Sequence, residues 1–287
     1  MREIAVISGK GGTGKTTLAM SLLPYLKDPV IADCDVDAPD MKILLSQEEI
    51  HKEPFYGLQI PVFDYEKCIH CNLCQKSCAF NAISDSIELI PGRCEGCRFC
   101  EYVCPVDAIT MENHAIGHLH KHETAYGPMV DAALFPGQES SGKLVSEVRE
   151  RAIAMAKKTN RETILIDGSP GVACNVISTI TGVDEVLVVT EPTLSGIHDL
   201  KRVVDLIRIF NIPTHIVINK ATINASNAEA IKAYCHENGL DVLLEIPFDE
   251  AIVHDISQKT IPSLGSSTFF ETDAWKHFVK QMRQTRR

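Results

Sequence analysis

The sequence predicts a doubly wound α/β fold, a mostly parallel sheet with helices on both faces, interrupted by a small α+β insert. Three observations predict it. Short apolar runs, beginning with Ile4–Ile7, alternate along the chain with stretches of helical periodicity, the pattern of parallel strands joined by helical crossovers. The first run opens directly into a glycine-rich turn. Between residues 61 and 112 the composition changes, and eight of the 11 cysteines crowd into short, regular spacings. The expected boundaries are therefore 1–60 and 113–287 for a discontinuous α/β domain and 61–112 for the insert.

Bulk properties narrow the classes of partner. With 287 residues and 45% hydrophobic content, the chain can bury a substantial core. A net charge of −10 argues against nucleic acid or anionic lipid as the main partner, so no nucleic acid and no stable membrane association are expected. No apolar run approaches the ~18 residues of a membrane span, and the first residues enter a strand rather than a signal peptide. Clustered cysteines beside a phosphate-binding motif point to a metal cluster in a reducing compartment rather than to disulfides, and hence to a cytoplasmic location.

The turn after the first strand is Ser8–Thr17, SGKGGTGKTT. A strand, a glycine-rich loop and a helix N-terminus converge backbone N–H groups and the positive end of a helix dipole on one point, which is a phosphate cradle. Gly9, Gly11, Gly12 and Gly14 let the backbone approach closely, with Lys10, Thr13 and Thr17 completing the loop. In the pattern G-x-x-x-x-G-K-T, Lys15 is expected on the β/γ-phosphates and the Thr16 hydroxyl on Mg²⁺, so ATP or ADP with Mg²⁺ is the expected ligand. The apolar strand Thr163–Asp167 ends in Asp167-Gly-Ser-Pro-Gly171, an arrangement in which the carboxylate holds Mg²⁺ and the glycines free the following loop to respond to the γ-phosphate.

The insert carries C-x₂-C-x₂-C-x₃-C twice, at Cys68, Cys71, Cys74, Cys78 and at Cys94, Cys97, Cys100, Cys104. Phe80-Asn-Ala-Ile83 and Val106-Asp-Ala-Ile109 continue each half alike, so the segment is an internal repeat. This is the bacterial two-cluster ferredoxin spacing, in which the fourth cysteine of each run ligates the other cluster. One [4Fe–4S] cluster is thus assigned to Cys68, Cys71, Cys74 and Cys104, and the second to Cys94, Cys97, Cys100 and Cys78. Structural zinc also uses paired C-x₂-C, but the duplicated third and fourth cysteines favour iron–sulfur clusters. Ala79 stands where the pattern has a proline.

With Lys10 inside the loop, the chain resembles the MinD/ParA superfamily of P-loop ATPases with a deviant Walker A motif. Related to it are the nitrogenase iron protein and the Mrp-type iron–sulfur carriers, and the resemblance extends to members with an inserted ferredoxin. It implies a SIMIBI-type fold and a face-to-face, ATP-dependent homodimer in which Lys10 reaches the partner's nucleotide. It also implies that Asp33–Pro39 is switch I, with Asp35 orienting or activating the attacking water and Asp33 and Asp37 helping to place Mg²⁺. Asn219 is expected to read the base, with the Pro247-Phe-Asp249 loop near the adenine. Cys174 lies where the nitrogenase iron protein has a cluster ligand, but no second cysteine is left to join it; a small buried residue is expected, as at Cys34 and Cys235.

Further elements are expected as a helix at Thr17–Lys27 that Pro24 kinks or shortens near its end, a buried strand at Val30–Asp33, and a short helix from Met41 capped by Asp37 or Asp40. Glu112–Glu123 is expected to return the chain to the main domain as a strand. Period two sets His118, His120 and His122 on one face, and no cysteine or carboxylate is spaced to finish a metal shell, so a solvated face is expected, with metal or proton-linked partner binding as the alternative. Beyond them come a helix at Gly142–Thr159, strands at Glu185–Thr190, Thr214–Asn219 and Asp241–Pro247, and helices at Ser195–Phe210 and Ala225–Asn238. The amphipathic C-terminal helix, Glu271–Arg286, is expected to pack on its own domain.

Three functions fit this reading. One is an ATP-gated electron carrier with an unidentified redox partner, favoured because clusters with four cysteines each are closed sites. The second is an Mrp-like cluster carrier, weakened by the absence of a further C-x-x-C, and the third a MinD-like positioning ATPase with a redox-sensing insert.

Overall fold

The computed structural model describes residues 1–45, 47–138 and 142–284. Its elements run β1 (Arg2–Ser8), α1 (Lys15–Leu22), β2 (Val30–Asp33), α2 (Met41–Leu44), β3 (Gln47–Phe63), α3 (Leu73–Lys76), α4 (Phe99–Tyr102), β4 (Ile109–Thr124), β5 (Gly127–Leu134) and α5 (Gly142–Thr159). They continue with β6 (Thr163–Pro170), α6 (Cys174–Ile180), β7 (Glu185–Thr190), α7 (Leu194–Phe210), β8 (Thr214–Ile218), α8 (Ala225–Glu237), β9 (Asp241–Glu245), α9 (Glu250–Ser257) and α10 (Asp273–Arg283). The sheet is nine-stranded in the order β3-β4-β5-β2-β6-β1-β7-β8-β9. Pairings from β5 through β2, β6, β1, β7 and β8 to β9 are all parallel. The mostly parallel α/β sheet expected from the sequence is present.

The chain divides into two compact units, Met1–Lys52 with Leu119–Ala133 and Ser140–Arg287, and Glu53–His118 with Leu134–Glu139. In the first, β1 and β7 are buried along their whole length. Near-continuous Val/Ile/Leu runs of this kind belong to parallel strands covered on both faces. On one face α1 packs with α10, whose Trp275, Phe278, Val279 and Met282 join a core cluster with Leu22, Leu23, Phe269 and Phe270. The C-terminal helix therefore packs on its own unit; residues 285–287, which include the expected end of that helix, lie outside the described residues. No helix among the described residues is long and apolar enough to cross a membrane.

Several local expectations change. Helix α1 ends at Leu22 and continues as a 3₁₀ turn, Leu23–Tyr25, because Pro24 has no N–H to donate and its ring opposes the carbonyl four residues back. Asp40 stands at the N-cap of α2 but makes no capping bond. Cys174 is exposed at the start of α6 rather than buried, whereas Cys34 and Cys235 are buried. Strands β3 and β5 were not anticipated. β3 has few buried positions, and β5, although bounded by Gly127-Pro128 and Pro136-Gly137, is a short apolar run interrupted by Asp131, so periodicity does not reveal either.

The second unit is built on a repeat of 26 residues, the interval from Cys68 to Cys94. Helices α3 and α4 are equivalent under it. So are the left-handed residues His70 and Gly96, Asn72 and Arg98, and Asn81 and Asp107, with φ between 49° and 64°. A small core of Cys74, Ile83, Ile87 and Ile109 lies between the halves, with Cys68, Cys78, Cys100 and Cys104 packed against it.

Candidate nucleotide and cysteine sites

The loop between β1 and α1 is shaped by its glycines. Gly14 is the N-cap of α1 at φ 94°, and a Cβ there would fall 2.2 Å from Asn219 Nδ2. Asn219 donates from Nδ2 to the Thr13 carbonyl (2.7 Å) and accepts from the Lys220 N–H (2.9 Å), which ties the end of β8 to the loop. Pro247 follows β9 on the neighbouring strand, where the Phe248 N–H bonds Thr222 Oγ1 at 3.0 Å.

Inside the loop, Lys15 Nζ lies 2.8 Å from Asp35 Oδ2 and 3.4 Å from Asp167 Oδ1, and Thr16 Oγ1 donates to Asp167 Oδ2 at 2.6 Å. Burial alone would lower the Lys15 pKa, but Asp167 and Asp35 outweigh it and raise it. Burial also pushes the Asp167 carboxyl up to about 6, against the pull of Lys15 and Thr16. Asp33 is fully buried, and its carboxyl is pushed well above the usual range by burial and by the neighbouring Asp167. Its oxygens accept the Asp35 N–H (3.1 Å) and the Met41 N–H (3.2 Å), so it anchors the loop that presents Asp35. Asp37 accepts from Asn175 Nδ2 at 3.4 Å, linking the loop after β2 to the first turn of α6. The four sequence-predicted residues Lys15, Thr16, Asp35 and Asp167 thus meet at one point, where a Mg²⁺–phosphate group has a hydroxyl, carboxylates and an ammonium to meet it.

Lys10 does not point into this centre. Its Nζ pairs with Glu191 Oε1 (2.7 Å) and donates to Ser195 Oγ (2.8 Å) and Thr193 Oγ1 (3.3 Å). Lys220 Nζ reaches the other Glu191 oxygen (2.9 Å) and the Gly12 carbonyl (3.0 Å). Sequence reasoning missed Glu191, Thr193, Ser195 and Lys220. The available signal was an acid followed by the capping hydroxyl of Thr193 at the end of β7, where α/β sheets place ligands.

In the cysteine-bearing unit the eight thiols fall into two sets of four. One cavity is lined by Cys68, Cys71, Cys74 and Cys104 with Phe63 and Ile87. The other is lined by Cys78, Cys94, Cys97 and Cys100 with Ile83 and Met111. In each, three cysteines come from one run and the fourth from the other. The left-handed residues between the cysteines curl the backbone around the thiols, and N–H groups of Ala82, Gly96 and Ala108 point at Cys78, Cys94 and Cys104 Sγ at 3.2–3.5 Å. Four thiols per cavity with an apolar wall and N–H···S contacts fit a four-thiolate [4Fe–4S] group.

Comparison with known proteins agrees with the first unit's geometry. The CobQ/CobB/MinD/ParA nucleotide binding domain matches residues 4–262. The chain is 34% identical over 229 residues to the uncharacterized protein MJ0578 of Methanocaldococcus jannaschii, covering 78% of this chain and 80% of that protein. Over 52 residues, 18% of this chain and 64% of the relative, it is 40% identical to pyruvate synthase subunit PorD of Methanothermobacter marburgensis. Among solved structures, the cell division ATPase MinD of Pyrococcus furiosus shares the fold at TM-score 0.52 and 20% identity, over 97% of this chain and 95% of that one.

Proposed function

Because the chain belongs to the CobQ/CobB/MinD/ParA nucleotide-binding family, we propose that it is an ATPase whose nucleotide state is coupled to electron transfer through two [4Fe–4S] clusters. The observation that carries this reading is the pair of four-cysteine cavities in a chain that also gathers Lys15, Thr16, Asp35 and Asp167 at one point. In the nucleotide site the loop amides and Lys15 bind the phosphates, while Thr16 and Asp167 hold Mg²⁺, with Asp33 beside them. Phosphate oxygens compete for Lys15 and release Asp35, which then faces the attacking water. Lys10 leaves Glu191 to reach the nucleotide of a second copy, so the ATP-bound form is a homodimer. Asn219 and the Pro247 loop lie at the base.

The clusters supply one-electron chemistry when bound. The chain's part is to close each site with four thiolates, shield it with apolar side chains and tune it with N–H···S contacts. Closed sites favour electron transfer over cluster delivery. The short likeness to a pyruvate synthase subunit supports a redox partner for this chain. The test is iron and acid-labile sulfide analysis of anaerobically purified protein together with its Mg-dependent ATPase rate. Roughly eight irons per chain and hydrolysis abolished by Asp35→Ala are expected. Zinc in place of iron, or hydrolysis unaffected, contradicts the reading.

A further inference from the structure

The histidines of β4 do not form a solvated face. His120 and His122 are 8% and 3% exposed, and both turn a ring nitrogen toward Asp131 of β5, which is 0% exposed. His120 Nδ1 lies 3.0 Å from Asp131 Oδ1, and His122 Nε2 lies 2.5 Å from Asp131 Oδ2. All three donor atoms fall within 4.8 Å of one another. The carboxylate that the spacing within β4 could not supply comes from across the hairpin turn at Ala125-Tyr126. That turn is held by Thr124 Oγ1, which donates to the Gly127 carbonyl at 2.6 Å and accepts the Tyr126 N–H at 3.1 Å.

Charge explains why a cation belongs there. Asp131 sits in sheet register with Asp33 of β2, which is in register with Asp167 of β6. Three adjacent parallel strands thus line up three fully buried carboxyl groups. Lys15 serves the Asp167 end of this row. At the other end the ammonium that approaches is Lys42 Nζ, 3.9 Å from Asp131 Oδ1 on a side chain that is 33% exposed. Burying a carboxylate is expensive unless it is paired or bound to a metal. Two imidazoles and one carboxylate make an N₂O donor set suited to a borderline divalent ion, and unsuited to Mg²⁺ or Ca²⁺, which favour oxygen. Tetrahedral ligand atoms around such an ion stand about 3.4 Å apart, given bonds of about 2.0–2.1 Å, and the three ligand atoms here, all within 4.8 Å of one another, need only side-chain adjustment to reach that spacing. On the far side of His120, Nε2 lies 4.0 Å from Glu49 Oε2, the position of a carboxylate that fixes a ligating histidine's tautomer.

We propose that His120, His122 and Asp131 form a site for one divalent first-row transition ion of the Zn²⁺ type, separate from the nucleotide and cysteine sites, with its fourth position left to water. Lys42 opposes the ion and moves aside when it binds. Because Asp33 anchors the loop carrying Asp35, the site lies one strand from the nucleotide switch.

The probe is Zn²⁺, added by equilibrium dialysis to anaerobically purified full-length protein, with zinc and iron counted per chain. Wild type is expected to take up one zinc more than the His120→Asn/His122→Asn double variant at equal iron content. Asp131→Asn is expected to weaken binding at least tenfold, and Lys42→Met to tighten it several-fold. That last change separates a metal site from a hydrogen-bonded cluster, which would gain no affinity for zinc from losing a lysine. Should the double variant fail to fold, X-ray absorption at the zinc edge of wild type decides: nitrogen and oxygen neighbours with imidazole scattering support the site. Sulfur neighbours, equal zinc in wild type and double variant, or no uptake at micromolar zinc overturn it.

Discussion

Lys15 Nζ and Asp35 Oδ2 stand 2.8 Å apart, so the lysine proposed for the phosphates and the aspartate proposed for the water hold each other. On that proposal, binding a nucleotide breaks this pair. Asp35→Ala is therefore expected to bind ATP a few-fold more tightly than wild type while losing at least about a hundredfold in hydrolysis, the usual scale for a missing general base. Lys15→Met is expected to lose about 1.5–3 kcal/mol of nucleotide binding, the worth of hydrogen bonds to charged groups. Titration with a fluorescent ATP analogue and a phosphate-release assay check both. Equal affinities for wild type and Asp35→Ala would mean that the pair does not compete with the phosphates.

Glu191 holds Lys10 and Lys220 together, and their positive charges keep its carboxyl below the usual range despite partial burial. If Lys10 acts across a dimer, releasing it costs about 1 kcal/mol, as for a partly exposed ion pair. Because each protomer of the dimer releases one Lys10, Glu191→Gln is expected to shift ATP-dependent dimerisation to about thirtyfold lower protein concentration. Lys10→Ala is expected to abolish the dimer while leaving monomeric ATP binding through Lys15. Analytical ultracentrifugation in the Asp35→Ala background reads both effects.

The cysteine sets make a pairwise prediction. Cys104→Ser is expected to disturb the cluster of Cys68, Cys71 and Cys74, although it lies in the second run, and Cys78→Ser the cluster of Cys94, Cys97 and Cys100. Each should remove about four of about eight irons. Electron paramagnetic resonance of the reduced variants identifies which cluster remains. Cys174→Ser, altering an exposed residue at the start of α6, should leave iron unchanged.

The C-terminal helix offers a test of packing. Trp275, the chain's one tryptophan, is 1% exposed, with Phe270 edge-on at 4.9 Å and Tyr25 at 5.8 Å. Trp275→Ala is expected to cost about 3–5 kcal/mol in denaturant unfolding, as for large-to-small changes in a core. Wild-type tryptophan emission should not respond to anionic vesicles; a blue shift would mean that α10 leaves its core for lipid.

What was legible from sequence was what local spacing encodes. Lys15 and Thr16 are fixed by the glycines around them, and Asp167 by the strand that ends on it. The strands β2, β6, β7 and β8 announce themselves as apolar runs because both of their faces are covered. What could not be read depends on register between distant segments. Asp131 meets His120 and His122 only through the β4–β5 turn, and Glu191 meets Lys10 and Lys220 only where β1, β7 and β8 end side by side. The histidine alternation was visible, yet its face appeared solvated because the flanking strands β3 and β5 gave too weak a signal to cover it.

The central claim is that nucleotide state and cluster oxidation state are coupled. Coupling free energy is reciprocal, so a nucleotide that shifts a cluster potential must have its own affinity shifted by oxidation. A coupling of about 1.4 kcal/mol corresponds to a tenfold affinity change and about 60 mV for a one-electron couple. The decisive measurement is the potential of each cluster without nucleotide, with ADP and with a non-hydrolysable ATP analogue, alongside ATP affinity in oxidised and reduced protein. Matching shifts of that order are predicted. Potentials and affinities that are both indifferent would contradict coupling within this protein.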